Sequence, residues 1–117
     1  MTESELKERT KQFALRIIKL VEALPKTTTG KTIGGQMIRS GTSAAANYRA
    51  ACRGKSKADF IAKLGIVEEE ADETAFWLEL VIDTNLFDRK LVEPLLQEAN
   101  DLTAIFAKSI ITARSKK

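Results

Sequence analysis

The sequence predicts an all-α protein, an antiparallel up-down-up-down four-helix bundle formed as a single domain over residues 1–117. Apolar residues recur at helical spacing along four segments, as on the buried face of an amphipathic helix. The connections between the segments are roughly two to eight residues long, which favours antiparallel neighbours. A chain of 117 residues is long enough for one hydrophobic core and too short for two.

The first helix is predicted over about Thr2–Leu24. An acidic first turn and Pro25 supply its start and stop signals. Its single apolar stripe comprises Leu6, Phe13, Ile17, Leu20, Val21 and Leu24. The polar run Lys26–Gly30 is expected to be the loop that leads into the second helix.

The second helix is predicted over about Thr32–Arg53 and is rich in very small residues. These are Gly34, Gly35, Gly41, Ala44, Ala45, Ala46, Ala50 and Ala51. Each interior glycine destabilises a helix by about 0.5–1 kcal/mol relative to alanine, so close approach by neighbouring helices must offset the loss. Because the helix is small on more than one side, we expect a second subunit beside it. A kink near Gly41–Ser43 is the competing interpretation.

The third helix is predicted to begin after the N-cap Ser56, with Asp59 three residues on, and to run to about Thr84. Pro94 interrupts the pattern of the last helix and is unfavourable in a helix interior. We therefore expect a short turn at Asp88–Val92 and a main helix that begins near Pro94.

Gly30-Lys31-Thr32 matches the end of a phosphate-binding P-loop. That motif requires a first glycine where this chain has Pro25, and it requires a strand upstream where this chain has an amphipathic helix. The threonines before Gly30 are interpreted instead as a helix N-cap region.

Composition and charge exclude several classes of protein. The net charge is +3, from 19 basic and 16 acidic residues, so it favours an acidic partner only mildly. The single cysteine cannot form an internal disulfide, and the charged N-terminal segment does not resemble a signal peptide. No apolar run reaches the roughly 18 residues that a membrane span requires. We expect a cytoplasmic protein that does not insert into membranes.

Three ordered segments carry a resemblance to a known family: Arg39-Ser-Gly-Thr-Ser-Ala-Ala-Ala-Asn-Tyr-Arg-Ala-Ala51, Asp59-Phe-Ile-Ala-Lys63 and Glu70-Ala-Asp-Glu-Thr-Ala-Phe-Trp-Leu78. Together they resemble the 23S rRNA intervening sequence protein family of four-helix bundles. The resemblance implies a cytosolic bacterial bundle that assembles as a ring-like homopentamer. The family is also similar to the accessory protein of diversity-generating retroelements, a basic pentamer that works with a reverse transcriptase and nucleic acid.

On this resemblance, eight residues form the family motif and candidate interface: Arg39, Ser43, Asn47, Tyr48, Phe60, Glu70, Glu73 and Trp77. The chain departs from the family pattern at Ala50, where members often carry glutamate, and at Glu69, where they often carry lysine. The departures imply either that a surface ion pair is absent or that the interface is rearranged, which bears on the subunit count.

Charge is distributed unevenly between the second and third helices. Candidate nucleic-acid contacts are the basic residues on and beside the second helix, namely Arg39, Arg49, Arg53, Lys55, Lys57 and Lys63. The third helix is acidic through Glu68, Glu69, Glu70, Asp72, Glu73, Glu79 and Asp83. Opposite signs on adjacent helices most often form ion pairs within or between subunits. Phosphate binding by the arginines is the alternative, although no aromatic residues interleave them for base stacking.

No catalytic, cofactor or metal site is predicted. The chain contains no histidine, which removes the Glu-x-x-His ligands of a di-iron bundle and the commonest general base. Without a histidine to activate it, Cys52 is interpreted as a small packing residue. Asn47 is expected to be buried and hydrogen-bonded, fixing helix register, and Trp77 to be a core or interface anchor.

Two function classes follow. The first is a non-enzymatic homo-oligomeric module, with a pentamer as the implied count, that serves assembly or protein interaction. The second is a nucleic-acid-associated accessory protein that binds the phosphate backbone of RNA or DNA through basic residues of the second helix, in an rRNA or reverse-transcriptase complex. The salt dependence of nucleic-acid binding distinguishes the two.

Overall fold

Four α-helices make up most of the protein in the computed structural model, which describes residues 1–116 and leaves Lys117 outside the described part. They are α1 (Glu3–Ala23), α2 (Thr28–Ala51), α3 (Lys57–Asp83) and α4 (Arg89–Ser115). Residues 1–116 contain no strand. The predicted all-α four-helix fold is therefore confirmed.

Each helix packs against the next one along the chain, and α1 also meets α4, giving a rod of 50 × 21 × 19 Å. Contacts between α1 and α2 show that these two helices run antiparallel. Ile17 lies beside Gly41, whereas Val21, one turn later on α1, lies beside Gly34, two turns earlier on α2. The up-down-up-down order is consistent with this packing.

The apolar stripes meet on the axis of the rod. The largest fully buried side chains include Phe13, Ile17, Met37, Leu78 and Phe106, with contributions from every helix. Burial of each such side chain contributes about 1.5–3 kcal/mol. The helical periodicity therefore predicted the core correctly: all the first-helix stripe residues except the half-buried Val21 are buried.

The second helix begins four residues earlier than predicted, at Thr28 rather than Thr32. Thr27 is its N-cap, and the Thr27 hydroxyl accepts a hydrogen bond from the Gly30 backbone N–H at 3.1 Å. A Cβ atom at position 30 would lie 2.0 Å from the Pro25 carbonyl oxygen. Gly30 is thus part of the first helical turn, which a larger residue could not form against Pro25.

The predicted turn at Asp88–Val92 is wrong, because α4 begins at Arg89 and continues through Pro94. Asp88 caps this helix by accepting a hydrogen bond from the Lys90 backbone N–H at 3.0 Å. Val92 in the first turn is fully buried, which anchors the helix start in the core. Pro94 is exposed, so the Lys90 carbonyl that its missing N–H leaves free is solvated.

The reversal between α3 and α4 is a Schellman motif with asparagine in place of the usual glycine. Asn85 has a φ of 54°, in the left-handed region. The Asn85 N–H donates to the Ile82 carbonyl and the Leu86 N–H donates to the Val81 carbonyl, both at 3.0 Å. The chain therefore turns sharply enough for α4 to pack back along α3.

Candidate functional site

A chain of polar contacts crosses the outer side of the α2–α3 seam. Nη1 of Arg39 lies 2.9 Å from a Glu70 carboxylate oxygen, and Nη2 of Arg39 donates to Glu73. The same Glu73 oxygen accepts the indole N–H of Trp77 at 3.1 Å. These contacts orient Trp77, which is half-buried and packs against the core on one side.

The electrostatics of this network hold Glu73 in its ionised form. The Trp77 indole N–H and then the Arg39 guanidinium lower the pKa of Glu73 below the ordinary glutamate value. Arg39 is largely exposed, and exposed ion pairs contribute little to stability. The network therefore positions side chains on the surface more than it stabilises the fold.

Ser43 and Asn47 follow Arg39 on α2 at intervals of four residues and lie on the same side of the helix. The Asn47 amide donates to the Ser43 carbonyl and to the Ser43 hydroxyl, both at 2.9 Å. The expected hydrogen bonding of Asn47 is confirmed, but its expected burial is wrong, because Asn47 is half-buried. Both bonds lie within its own helix, so they do not fix register between helices.

Register between α2 and α3 is set by a pair of hydroxyls that sequence analysis missed. Ser40 and Thr74 are fully buried, and their side-chain oxygens are 2.7 Å apart. Both occupy positions in the apolar stripes of their helices, which is the signal in the sequence that could have identified them. A buried hydrogen bond of this kind disfavours a slipped packing of the two helices.

The remaining two motif residues lie elsewhere. Tyr48 is buried in the core with its ring centroid 5.2 Å from that of Phe106. Phe60 is half-buried at the end of the rod where α1 begins. Six of the eight motif residues thus share the α2–α3 seam, and Ala50 and Glu69, where the chain departs from the family pattern, are half-buried and exposed near it.

Apolar side chains project outward from α3 beside this seam. Phe76 is 50% exposed and Ile66 is 43% exposed. The Phe76 ring meets the Trp77 ring edge-on at a centroid distance of 5.1 Å. We call the α3 face the outward surface formed by Ile66, Glu69, Asp72, Phe76, Trp77 and Leu80. It combines large apolar groups with negative charge.

A second, basic surface lies between α1 and α2. Lys7, Lys11, Arg49 and Arg53 line an open groove of about 790 Å³ together with Glu8 and the small residues Ser4, Thr42, Ala45 and Ala46. Further along the same helices, Leu15 is 47% exposed, and Ile18 and Ile38 are half-buried. We call these residues together the α1–α2 face.

The small residues of α2 lie on two sides of the helix. Gly34 and Gly41 lie against Val21 and Ile17, so α1 of the same chain accounts for them. Gly35 faces open space, and Ala45 and Ala46 lie on the α1–α2 face. This outer set remains available to a second subunit. The helix is continuous through Gly41–Ser43.

The structure does not bring the six predicted nucleic-acid contacts together. Arg39 forms ion pairs with Glu70 and Glu73. Nζ of Lys63 lies 2.6 Å from a carboxylate oxygen of Asp59. Lys55 is exposed in the turn before α3, and Lys57 lies at the end of the rod. Arg49 and Arg53 do share a groove.

Sequence analysis did not identify Lys7 and Lys11, which join Arg49 and Arg53 in the groove. Their spacing of four residues on the flank of the first apolar stripe was the available signal.

A separate opening, the end cleft, lies where α1 and α3 begin and α2 and α4 end. It has a volume of about 890 Å³ and includes the half-buried Cys52. Burial and then the nearby Glu3 carboxylate raise the pKa of the Cys52 thiol. Burial also raises the pKa of Tyr48, one turn before it on α2. The thiol is therefore held in its neutral form.

No group of three or more cysteine, aspartate and glutamate side chains within residues 1–116 is arranged to hold a metal ion. None of the four described helices is both long enough and apolar enough to cross a membrane.

Comparison with known proteins supplies the family. A family described as 23S rRNA-intervening sequence protein matches residues 2–108. The chain is also similar to a crystal structure of a protein with unknown function from the S23 ribosomal protein family of Bacteroides thetaiotaomicron. That similarity has a TM-score of 0.83 and 36% sequence identity, and covers 89% of this chain and 96% of the other. No protein of curated function matches significantly. The protein belongs to the 23S rRNA-intervening sequence protein family.

Proposed function

We propose that the protein is a non-enzymatic assembly module that acts as a homo-oligomer, with the homopentamer that the family resemblance implies as its form. The observation that carries the proposal is the α3 face, where Phe76, Ile66 and Trp77 are held outward by a folded, well-packed bundle. Aromatic groups of this kind are typical anchors of protein interfaces. The bundle leaves Phe76 and Ile66 exposed, with the half-buried Trp77 beside them.

Charge on the two faces supports self-association. The α3 face carries Glu69 and Asp72 beside its apolar groups, and the α1–α2 face carries Lys11 and Arg49 beside Leu15. Two different faces with opposite charge favour a head-to-tail contact between copies. Head-to-tail contacts close into rings when the rotation between copies permits it. A ring-like pentamer is consistent with this pairing.

The non-enzymatic part of the proposal rests on the chemistry of the side chains. The chain has no histidine, and its one thiol has a raised pKa in a partly buried position. Several carboxylates are engaged in ion pairs, among them Glu73 with Arg39 and Glu98 with Arg9. We propose that these groups have structural roles.

A matched pair of substitutions tests the assembly proposal. Phe76→Asp places a charge in the centre of the α3 face, whereas Leu91→Asp places one at an apolar position on α4 that is 64% exposed. We expect Phe76→Asp to dissociate the oligomer into monomers and Leu91→Asp to leave the native mass unchanged, as measured by sedimentation velocity with helicity checked by circular dichroism. An oligomer that survives Phe76→Asp contradicts the assignment of this face.

A second candidate function is association with nucleic acid, and the basic groove favours it. Lys7, Lys11, Arg49 and Arg53 lie along one groove between two helices. The family description refers to 23S rRNA. Such a groove would bind phosphate backbone, and the bound species would be an RNA or DNA in an rRNA or reverse-transcriptase complex.

A salt series tests this second candidate. If about four basic side chains neutralise phosphates, the logarithm of affinity falls with the logarithm of salt concentration at a slope of about −3 to −4. Arg49→Ala/Arg53→Ala is expected to reduce that slope by about two, whereas Arg39→Ala, whose guanidinium is already paired, is expected to change it little. Absence of RNA and DNA binding even at low salt contradicts the candidate.

A further inference from the structure

We propose that the end cleft is a binding site for a small amphipathic carboxylate, a ligand with an apolar body and one anionic head. The cleft measures about 890 Å³. Ligand sites in proteins are typically about 300–1,000 Å³ and largely apolar, with a few polar groups that fix orientation. Neither the assembly faces nor the basic groove uses this cleft, so the proposal is independent of the proposed function.

The apolar wall of the cleft is built from all four helices. Leu6 of α1, Ala51 of α2, Phe60 of α3 and Ile105 of α4 contribute to it. Leu6 and Ala51 are buried members of the core, whereas Phe60 and Ile105 are half-buried against it. The wall is therefore supported by the packed bundle, and it is suited to an aliphatic or aromatic group.

The charged groups of the cleft are all positive. Lys57 of α3, Lys108 of α4 and Lys116 contribute to its lining, and no acidic residue within residues 1–116 does so. None of the three lysines forms an ion pair with another described residue, although the Lys57 ammonium lies against the Lys116 backbone carbonyl. Glu3, the acidic residue beside Cys52, does not contribute to the lining. A Glu3 carboxylate oxygen lies 3.8 Å from Nζ of Lys7.

This combination selects the class of ligand. A purely polar anion would leave the apolar wall exposed to water, and a purely apolar ligand would remove water from the lysine ammonium groups without replacing their hydrogen bonds. A carboxylate with an apolar body satisfies both requirements, because lysine side chains can pack their stems on it and reach its head group. Lys57 and Lys108 are the residues we assign to the head group.

Cys52 provides a built-in reporter, because it is the only cysteine in the chain and contributes to the cleft lining. The experiment measures the rate at which a thiol reagent modifies Cys52 in the full-length protein as decanoate is added, below the concentration at which decanoate forms micelles. Decanol is the matched neutral probe. We expect decanoate to slow modification saturably, by about tenfold when its free concentration is ten times Kd. Decanol is expected to protect much more weakly.

Two double variants locate the head group. Lys57→Ala/Lys108→Ala is expected to weaken decanoate protection at least about tenfold, the loss of a charge-assisted interaction. Lys31→Ala/Lys90→Ala removes the same charge at the opposite end of the rod and is expected to leave protection unchanged. Protein unfolded in urea serves as the control for direct effects of decanoate on the reagent.

Three results would overturn the proposal. They are the absence of saturable protection, equal protection by decanol and decanoate, and undiminished protection in Lys57→Ala/Lys108→Ala. Protection that grows with protein concentration in the absence of decanoate would instead assign the cleft to contact between copies. Repeating the series with Phe76→Asp separates that outcome from assembly through the α3 face.

Discussion

Individual glycines of α2 have opposite surroundings, although the sequence alone presents them as one composition. Gly30 faces the Pro25 carbonyl, where a Cβ would lie at 2.0 Å, and Gly35 faces open space. The first glycine permits the chain to enter the helix directly after Pro25. The second has no role within the folded chain, so its conformational freedom in the unfolded state only opposes folding.

The contrast predicts opposite effects of one substitution. Gly35→Ala is expected to raise the free energy of unfolding by about 0.5–1 kcal/mol. Gly30→Ala is expected to lower it by about 2 kcal/mol or more, because backbone must move to admit the methyl group. Urea denaturation at fixed protein concentration measures both. Equal effects at the two positions would contradict the close approach at Pro25.

The hydrogen bond between Trp77 and Glu73 predicts that the tryptophan fluorescence depends on pH. The folded-state pKa of Glu73 is lowered below its ordinary value of 4.5. Its stabilising contribution is therefore present above about pH 4.5 and is lost as the pH falls through the lower folded-state pKa. Because Trp77 is the only tryptophan and donates to Glu73, its fluorescence is expected to titrate with a midpoint below 4.5.

Two substitutions test the contribution of Arg39 and the identity of the titrating group. Arg39→Ala is expected to move the midpoint up toward 4.5, and Glu73→Gln to abolish the transition. Arg49→Ala, on the same helix, serves as the control and is expected to leave the midpoint unchanged. A midpoint at or above 4.5 in the unsubstituted protein would contradict the Trp77–Glu73–Arg39 network.

For individual residues, the sequence predicted the buried apolar side chains well and the polar contacts poorly. Apolar spacing alone identifies Phe13, Ile17 and Phe106 as core. Nothing local distinguishes Arg39, which pairs across the seam, from Arg49, which does not, because the difference depends on which α3 residues face each one. Likewise Ser40 rather than Asn47 carries the buried interhelical hydrogen bond.

Helix existence and order were predictable at the scale of elements, whereas two helix starts were not. Thr27 and Asp88 cap α2 and α4 earlier than the sequence pattern predicted. For α4, the low helix propensity of proline led to a predicted helix start near Pro94, which is five residues after the observed start at Arg89. Burial of Val92 and the cap at Asp88 outweigh one missing backbone hydrogen bond on an exposed surface.

Substitution of Pro94 tests how much the proline destabilises α4. Pro94→Ala restores the backbone N–H that can donate to the Lys90 carbonyl, and it also frees the unfolded chain. We expect the free energy of unfolding to rise by about 1–2 kcal/mol, less than the full difference in helix propensity between the two residues. Urea denaturation measures the change. Destabilisation would show instead that α4 requires the proline geometry at this position.

For the whole molecule, the bundle buries one face of every helix and still leaves two surfaces that combine apolar groups with charge. The α3 face is acidic and aromatic, and the α1–α2 face is basic and aliphatic. The small residues of α2 predicted a second subunit beside this helix, but two of them, Gly34 and Gly41, lie against α1 of the same chain. Phe76 lies off the buried apolar stripe of α3, five residues from Ala71 and Val81, so helical spacing is consistent with its outward position. Spacing alone does not show that Phe76 and Ile66 form one surface beside Trp77.

The measurement that tests the central claim most directly is the native mass of the purified protein at micromolar concentrations, by sedimentation equilibrium over a dilution series. Self-assembly through the α3 face predicts a defined multiple of the 12.9 kDa chain, with five copies as the expected count. A mass of 12.9 kDa at every concentration would contradict the account, because the α3 face would then remain uncovered in the protein alone.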